Sequence, residues 1–575
     1  SPKIPYFTVF VRGSGVYPRL TFSQQQVTLP CVPLDVTSRA QFEVINAGYQ
    51  ALALSYKVSP AITVPLEITF PDGQDIGVSR ERVRVVVSAR HPAPMSWSGS
   101  IEFSDDDGER FNIQVSGSAD NSLMSNYAFV KTYTDNYGFI GLDQQPPHFL
   151  LKKQISDMNA AEAKRKEMLR KQRAAARKGG ADAGGSVSST DGSKKGGKKK
   201  HSESVDLDMQ GMNMGQGHAT DENEGVSLEL SCAPSDHFND AEARFVLKWL
   251  NRNVMANPID EERYPDCILE NHGDIIVTCI EQLSGKKIPG IASGLPAAEP
   301  PNSRMGTAAS RTPPPPPSSN VSPVHSEAQR LLKKYVGIIA YLSKAGALLT
   351  HINPIDLLDQ KHHMAAQETH AKVAEGKRFT PHILAERQEL WEKGWLLNCK
   401  VAWMEVIFQS LKVYALNRVN YPDYCKMPGI QVAASEPEGG GKKKKGAVPA
   451  EFGRSNVYSQ AESILLAWIS YHINHAAELK DEGASGGSDD ASYGVRKRSV
   501  DFNSDLKSVV PFLQMVHSHM PDAAQFGGQL VGYTTLDSSD REAVFDKLQA
   551  MLEEVRLMFE FDDIEVAASG RSLML

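Results

Sequence analysis

Cysteine is scarce in this chain, with six among 575 residues, at positions 31, 232, 267, 279, 399 and 425. None stands in a CxxC pair, so the spacing supports neither a disulfide framework nor a zinc site. Buried or idle thiols in a reducing compartment are the expected reading. Long apolar runs are also missing. No stretch reaches the ~18 apolar residues of a membrane-spanning helix, and no membrane partner is expected. Excess charge of one sign is lacking: 62 Lys and Arg stand against 69 Asp and Glu, a formal net charge of −7. Such a chain is no polycation, which argues against clamping nucleic acid with its whole surface. The signature spacings of catalysis are absent. There is no GxxxxGK[ST] loop, no GxSxG elbow, no HExxH, and no GxGxxG opening a helix after a strand. Gly13-Ser14-Gly15 reads as a turn. Histidines gather at His351, His362, His363, His370 and His382, but irregularly and without a supporting carboxylate pattern. Asp105, Asp106 and Asp107 resemble half a calcium loop, yet its glycine and closing glutamate do not line up, so a solvated hairpin tip is expected. The expectation is therefore no catalytic residue, no metal, no cofactor and no enzymatic activity.

At this length roughly three or four domains are expected. Residues 17–120 alternate apolar and polar positions with period two, as in Phe42 and Val44 or Phe111, Ile113 and Val115. Turn residues punctuate them regularly, which predicts an N-terminal β-sandwich. Residues 1–16 read as the last strand of a preceding sandwich, and the apolar end at Leu575 suggests a segment of a longer protein. Residues 121–236 hold an Ala/Lys/Arg/Glu-rich helical arm and then a low-complexity stretch expected to be disordered. Residues 237–425 form a helical block with a Pro-rich linker at 290–325; Phe245, Val246, Trp249 and Leu250 make an apolar face at helical spacing. Trp391, Trp395, Trp403 and Phe408 line a long second helix there. A linker at 426–454 leads to a last helical unit at 455–575. The predicted architecture is multidomain α and β: one sandwich, then all-α blocks, joined by disordered linkers.

Three basic runs stand out as candidate partner-binding residues. They are Lys194, Lys195 and Lys198 to Lys200; Lys442, Lys443, Lys444 and Lys445; and Arg496, Lys497 and Arg498. Local positive patches on an acidic chain can meet an acidic surface, such as tubulin. No aromatic residues interleave them, so a nucleic-acid partner is not expected. A solubilising spacer is the competing reading of the first two.

Two stretches resemble known modules. ILLAWISYHI, followed by DFNSDLKSVVPFLQMVHSHMP, resembles a calponin-homology domain over 455–575, incomplete at its C-terminal end. The resemblance implies a core built on Trp468, Asp505 and Leu506, with Val509 where the family often has glycine. ARFVLKWLNRNV and GDIIVTCIEQLSGKKIPG repeat it faintly, so a divergent calponin-homology-like unit is one reading of 237–425. FEVINAG (Phe42 to Gly48) and IQVSG (Ile113 to Gly117) resemble the immunoglobulin-like ASH/MSP module, shared by abnormal-spindle protein, Hydin and major sperm protein. Such modules in series with a late calponin-homology domain resemble the cilia- and flagella-associated proteins of the axonemal central apparatus. YPDCILENHGDIIV to GKKIPG and AYLSKAGALLTHI carry the same likeness. It implies a structural scaffold of the ciliary or flagellar axoneme, in the cytoplasmic cytoskeleton, supporting motility. Its partners would be other central-apparatus proteins, with microtubules as a further surface. The alternative is an actin-binding cytoskeletal linker.

Overall fold

The computed structural model describes residues 9–10, 17–141, 146–179, 238–291, 322–375, 381–426, 448–483 and 501–502, with 511, 515 and 518 as single positions. The period-two pattern becomes strands where it was expected. Strand β1 (Arg19–Phe22), β3 (Thr37–Ala47), β8 (Arg82–Arg90) and β6 (Leu66–Thr69) form one antiparallel sheet in the order β1-β3-β8-β6. Along β3, Ala40, Phe42 and Val44 are buried while Arg39 and Gln41 are exposed. Phe42 lies opposite Val85 and Val44 opposite Val83, so the buried rows meet across the strands. Strands β2 (Gln26–Thr28), β10 (Arg110–Ala119), β9 (Met95–Ser104) and β5 (Ser55–Val58) form a second sheet in the order β2-β10-β9-β5. The Phe103 ring of β9 meets Phe22 at 5.7 Å and Phe42 at 6.2 Å between ring centres, so the two sheets share an apolar layer. Strands β4 (Ala51–Ala53) and β7 (Asp75–Gly77) pair separately, as do β11 (Tyr137–Ile140) and β12 (His148–Leu151). Asp105 tips the β9–β10 hairpin, its Oδ1 accepting the amides of Asp107 and Glu109 at 3.1 and 2.7 Å.

The expectation of an immunoglobulin-like ASH/MSP sandwich followed by separate helical blocks is corrected here. The sheets are small and open, and no closed barrel forms among the described residues. The edge strand β2 has three residues and pairs in parallel with β10, while its Gln26 side chain reaches Asp356 on the helical side. An edge capped in this way needs no closure onto a further strand. Nor are the helices a separate block. The described residues within 1–150 and 231–575 make one compact unit, and those within 151–230 make another.

In the first unit, helix α1 (Leu123–Thr132) follows β10 directly. Helix α3 (Asp240–Asn253) is capped by Asn239, whose side chain accepts from Ala241 N at 3.0 Å. It buries Ala243, Leu247 and Leu250, the i, i+4, i+7 row. The expected face was rotated from this one: Phe245 and Trp249 are 44% and 41% exposed. Short α4 (Asp266–Leu269) leads to α5 (Asp274–Ser284), which is bracketed by left-handed Gly273 and Gly285. Helix α6 (Pro323–Lys344) starts on a proline at N1 and buries Leu331, Tyr335, Ile338 and Leu342. Helices α7 (Gln360–Glu375), α8 (Pro381–Tyr414), α9 (Tyr421–Tyr424) and α10 (Gln460–Gly483) complete it. The core shared by α3 to α8 centres on Trp403, which is fully buried, while α9 and α10 pack in smaller clusters around Tyr421, Phe452 and Ile464 and around Ile469 and Ile473. The Trp403 indole donates to Leu357 O at 3.2 Å, and Tyr335 meets its ring edge-on at 5.4 Å. Of the other aromatics on α8, Trp391 is buried, and Trp395 and Phe408 pack half-buried against the same core.

The calponin-homology reading also requires correction as a fold. Its described helix, α10, packs into the first unit rather than into a separate domain. Trp468 is half-buried, 4.7 Å from the His472 ring, beside Ile469 and Ile473. Asp505 and Leu506 lie outside the described residues. Among the described residues no helix is long and apolar enough to cross a membrane.

Gly273 decides how close α5 comes to α8. Its φ is +74°, and an added Cβ would lie 2.6 Å from the Trp403 ring. Gly273→Ala should therefore lower stability by about 1–3 kcal/mol through backbone strain and overpacking together. Urea denaturation followed by tryptophan fluorescence measures it; unchanged stability would mean the Trp403 ring can yield freely.

Candidate functional site: the seam between sheets and helices

The seam is built from polar side chains that sequence order keeps hundreds of residues apart. At one end, loop residues 455–458 are inserted between the β2–β3 connection and β12. Asn456 acts there as a substitute peptide group. Its backbone O accepts from Leu34 N at 2.8 Å, and its Nδ2 donates to Leu34 O and Phe149 O at 3.1 and 3.0 Å. Its Oδ1 accepts from Phe149 N at 2.7 Å. Ser455 Oγ donates to Pro147 O at 2.6 Å. Buried backbone groups left by the short strands are thereby paired.

The adjoining carboxylate, Glu462, serves two helix ends. Ser459 and Glu462 form the capping box of α10, with Ser459 N and Oγ donating to Oε2 at 2.7 and 2.9 Å. Oε1 accepts from Leu123 N at 2.8 Å and Ser122 Oγ at 3.2 Å, at the start of α1. Burial pushes the Glu462 carboxyl up to about 7, against these hydrogen bonds, which favour the ionised form. Nearby, Lys412 Nζ of α8 forms an ion pair with Asp120 Oδ2, at the end of β10, both side chains almost fully buried. Gln409, one turn earlier, donates to Ser125 Oγ at 2.9 Å and accepts from Leu348 N at 2.9 Å.

At the other end a cavity of about 510 Å³ separates β2 from α8. Gln26 Nε2 donates to Asp356 Oδ2 at 2.8 Å, and Asn353 Nδ2 donates to Gln26 Oε1 at 3.2 Å. Gln25 reaches Gln367 of α7. Burial raises the Asp356 carboxyl to about 6. Burial also lowers His363, whose Nδ1 stands 3.1 Å from Ile355 O. Its 4.0 Å approach to Asp356 is consequently no ion pair at neutral pH. His351 Nε2 lies 3.7 Å from Glu405 Oε1, while His351 Nδ1 and Glu405 Oε2 are buried without a partner among the described residues. The described residues contain no group of three metal-ligating side chains. Burial raises the thiols of Cys267 and Cys279, to about 11 and about 12.

Residues 230–419 match the family model described as the cilia- and flagella-associated protein 47 domain. That stretch includes α3 to α8 and the helical half of the seam. Cilia and flagella-associated protein 47 of Mus musculus is 22% identical over 570 residues, covering 90% of this chain. The Homo sapiens protein is 20% identical over 628 residues, covering 98%. The chain spans 16% and 18% of their lengths. Among solved structures, the ASH/PapD-like domain 7 of human CEP192 aligns to 20% of this chain at 11% identity with a TM-score of 0.14. That score carries no argument about the fold.

Of the candidate partner-binding and calponin-homology core residues, only Trp468 lies among the described ones, away from the seam. Lys194, Lys195, Lys198 to Lys200, Lys442 to Lys445, Arg496 to Arg498, Asp505 and Leu506 lie outside them. The seam residues were missed because a lone Asn, Asp or Gln has no local pattern. Two signals were present: the Ser-x-x-Glu spacing at 459–462, and the histidines at 351 and 363.

Two outcomes test the seam. Lys412→Met should cost about 3–5 kcal/mol by leaving Asp120 buried and unpaired, and adding Asp120→Asn should restore most of it. Urea denaturation of the single and double variants measures this; additive losses would show that the pair does not couple. The second outcome concerns pH. Folding raises Asp356 and Glu462 above their ordinary carboxylate values, so the folded chain holds these protons more tightly than the unfolded one. The stability from each is full below pH ~4 and is lost as pH rises through about 6 and about 7 respectively. Asp356→Asn keeps the acceptor for Gln26 and removes one titration. Its stability relative to wild type should rise between pH 5 and pH 8 by about 1.4 kcal/mol, the one pH unit of that shift still to titrate there. A difference that stays constant with pH would exclude Asp356 as a titrating group of the seam.

Proposed function

We propose that this chain is a structural element of the ciliary or flagellar axoneme, where it holds neighbouring axonemal proteins and performs no catalysis. The observation that carries this reading is the match of residues 230–419 to the cilia- and flagella-associated protein 47 domain. Likeness to the mouse and human proteins of that name over most of this chain supports it. The seam supports a load-bearing role, since long-range hydrogen bonds and a buried ion pair tie the helices to the sheets. Within the axoneme, the central apparatus is the proposed location and the microtubule a proposed contact.

The test is retention. Tagged chain expressed in ciliated cells should remain with axonemes after detergent extraction and leave them as salt is raised. Purified chain should pellet with microtubules. Complete release by detergent alone, or pelleting with actin filaments and not with microtubules, would overturn the reading.

A further inference from the structure

Helix α2 (Lys152–Gly179) belongs to the second unit and has almost no buried surface of its own. From Lys152 to Arg173 every residue except Ile155 is exposed. Its 28 residues extend about 42 Å. They carry ten basic and three acidic side chains, a local charge of +7 in a chain whose net charge is −7. The acidic residues steady the helix rather than cancel its field. Glu162 pairs with Lys166 and Glu167 with Lys171, both at 2.7 Å and both at i,i+4. Lys164, Arg170 and Arg173 make no ion pair among the described residues. Lys166, Arg170 and Arg173 fall at i, i+4 and i+7, on one face.

A helix that is charged all round and exposed along its described side chains is held by its own propensity and its i,i+4 pairs. We infer that α2 is a docking arm for a glutamate-rich, extended polypeptide. Charge complementarity selects an acidic partner, and the cations from Lys164 to Arg173 line about three turns along which a flexible acidic chain can lie. Nucleic acid is disfavoured because no aromatic residue on α2 offers a stacking platform for bases. A membrane is disfavoured because Met158, Met168 and Leu169 are too few to form the broad apolar face of an interfacial helix. The inference rests on the ciliary reading for its setting, since tubulin is an acidic surface, but binding can be tested without cilia.

The experiment measures binding of fluorescently labelled polyglutamate to the full chain by anisotropy. Saturable binding that weakens as salt rises is expected. Lys166→Glu, Arg170→Glu and Arg173→Glu combined should weaken it at least roughly tenfold, from six units of reversed charge at a few tenths of a kcal/mol each. Arg170→Lys with Arg173→Lys should preserve it, which separates charge from helix loss. Absence of polyglutamate binding would overturn the inference. So would equal affinity in the charge-reversed chain, or tighter binding to poly(U) RNA or phosphatidylserine vesicles. A chain that binds polyglutamate but washes off axonemes would sink the ciliary reading and leave this one standing. A chain retained on axonemes without binding polyglutamate would do the reverse.

Discussion

Burying a polar group without a partner costs more than most single contacts return, and the rest of this fold is organised around that penalty. Leu34 beyond β2, Phe149 of β12 and the start of α1 all present buried backbone groups. Asn456 pairs Leu34 and Phe149, Glu462 pairs the amide of Leu123, and Lys412 pairs the buried Asp120 carboxylate, each from a segment far away in the chain. Each such contact obliges a sheet and a helix to sit in one arrangement. Apolar packing alone would tolerate sliding, whereas a carboxylate shared by two helix N-termini would not.

The same arrangement explains why the sheets remain open. An edge strand must be paired, charged or covered. Here the side chains of Gln25 and Gln26 carry the end of β2 to Gln367, Asp356 and Asn353 on the helical side, across a cavity of about 510 Å³. The cavity beside it retains two buried atoms, His351 Nδ1 and Glu405 Oε2, without a partner among the described residues. At the Glu462 end Asp120 Oδ1, Asn126 Oδ1 and Ser463 Oγ are likewise buried without a partner among the described residues, so pairing is incomplete at both ends of the seam. Burial sets protonation at the Asp356 end: it raises the Asp356 carboxyl to about 6 and lowers His363.

A compact unit that shares its chain with a strongly basic helix suits a protein that holds others. The first unit supplies a packed body, and α2 supplies a concentration of positive charge. The chain's mild net charge conceals this division, because acidic residues elsewhere offset the arm.

Local pattern determined much. Period-two alternation placed β3, β9 and β10, since each residue there faces either core or solvent. The Ala/Lys/Arg/Glu composition placed α2, because a helix without a core depends only on propensity and i,i+4 pairing. The likeness of 264–290 and 340–352 to ciliary proteins was also readable in the residues themselves. Tertiary structure alone decided the rest. The expected face of Phe245, Val246, Trp249 and Leu250 was right at Leu250, but packing turned Ala243 and Leu247 inward and left Phe245 and Trp249 exposed. The immunoglobulin-like expectation failed because strand pattern cannot show whether an edge meets another strand or a helix. The seam was invisible for a similar reason. Asn456 and Asp120 are ordinary polar residues until folding brings Phe149 to one and Lys412 to the other, across more than 290 positions of chain.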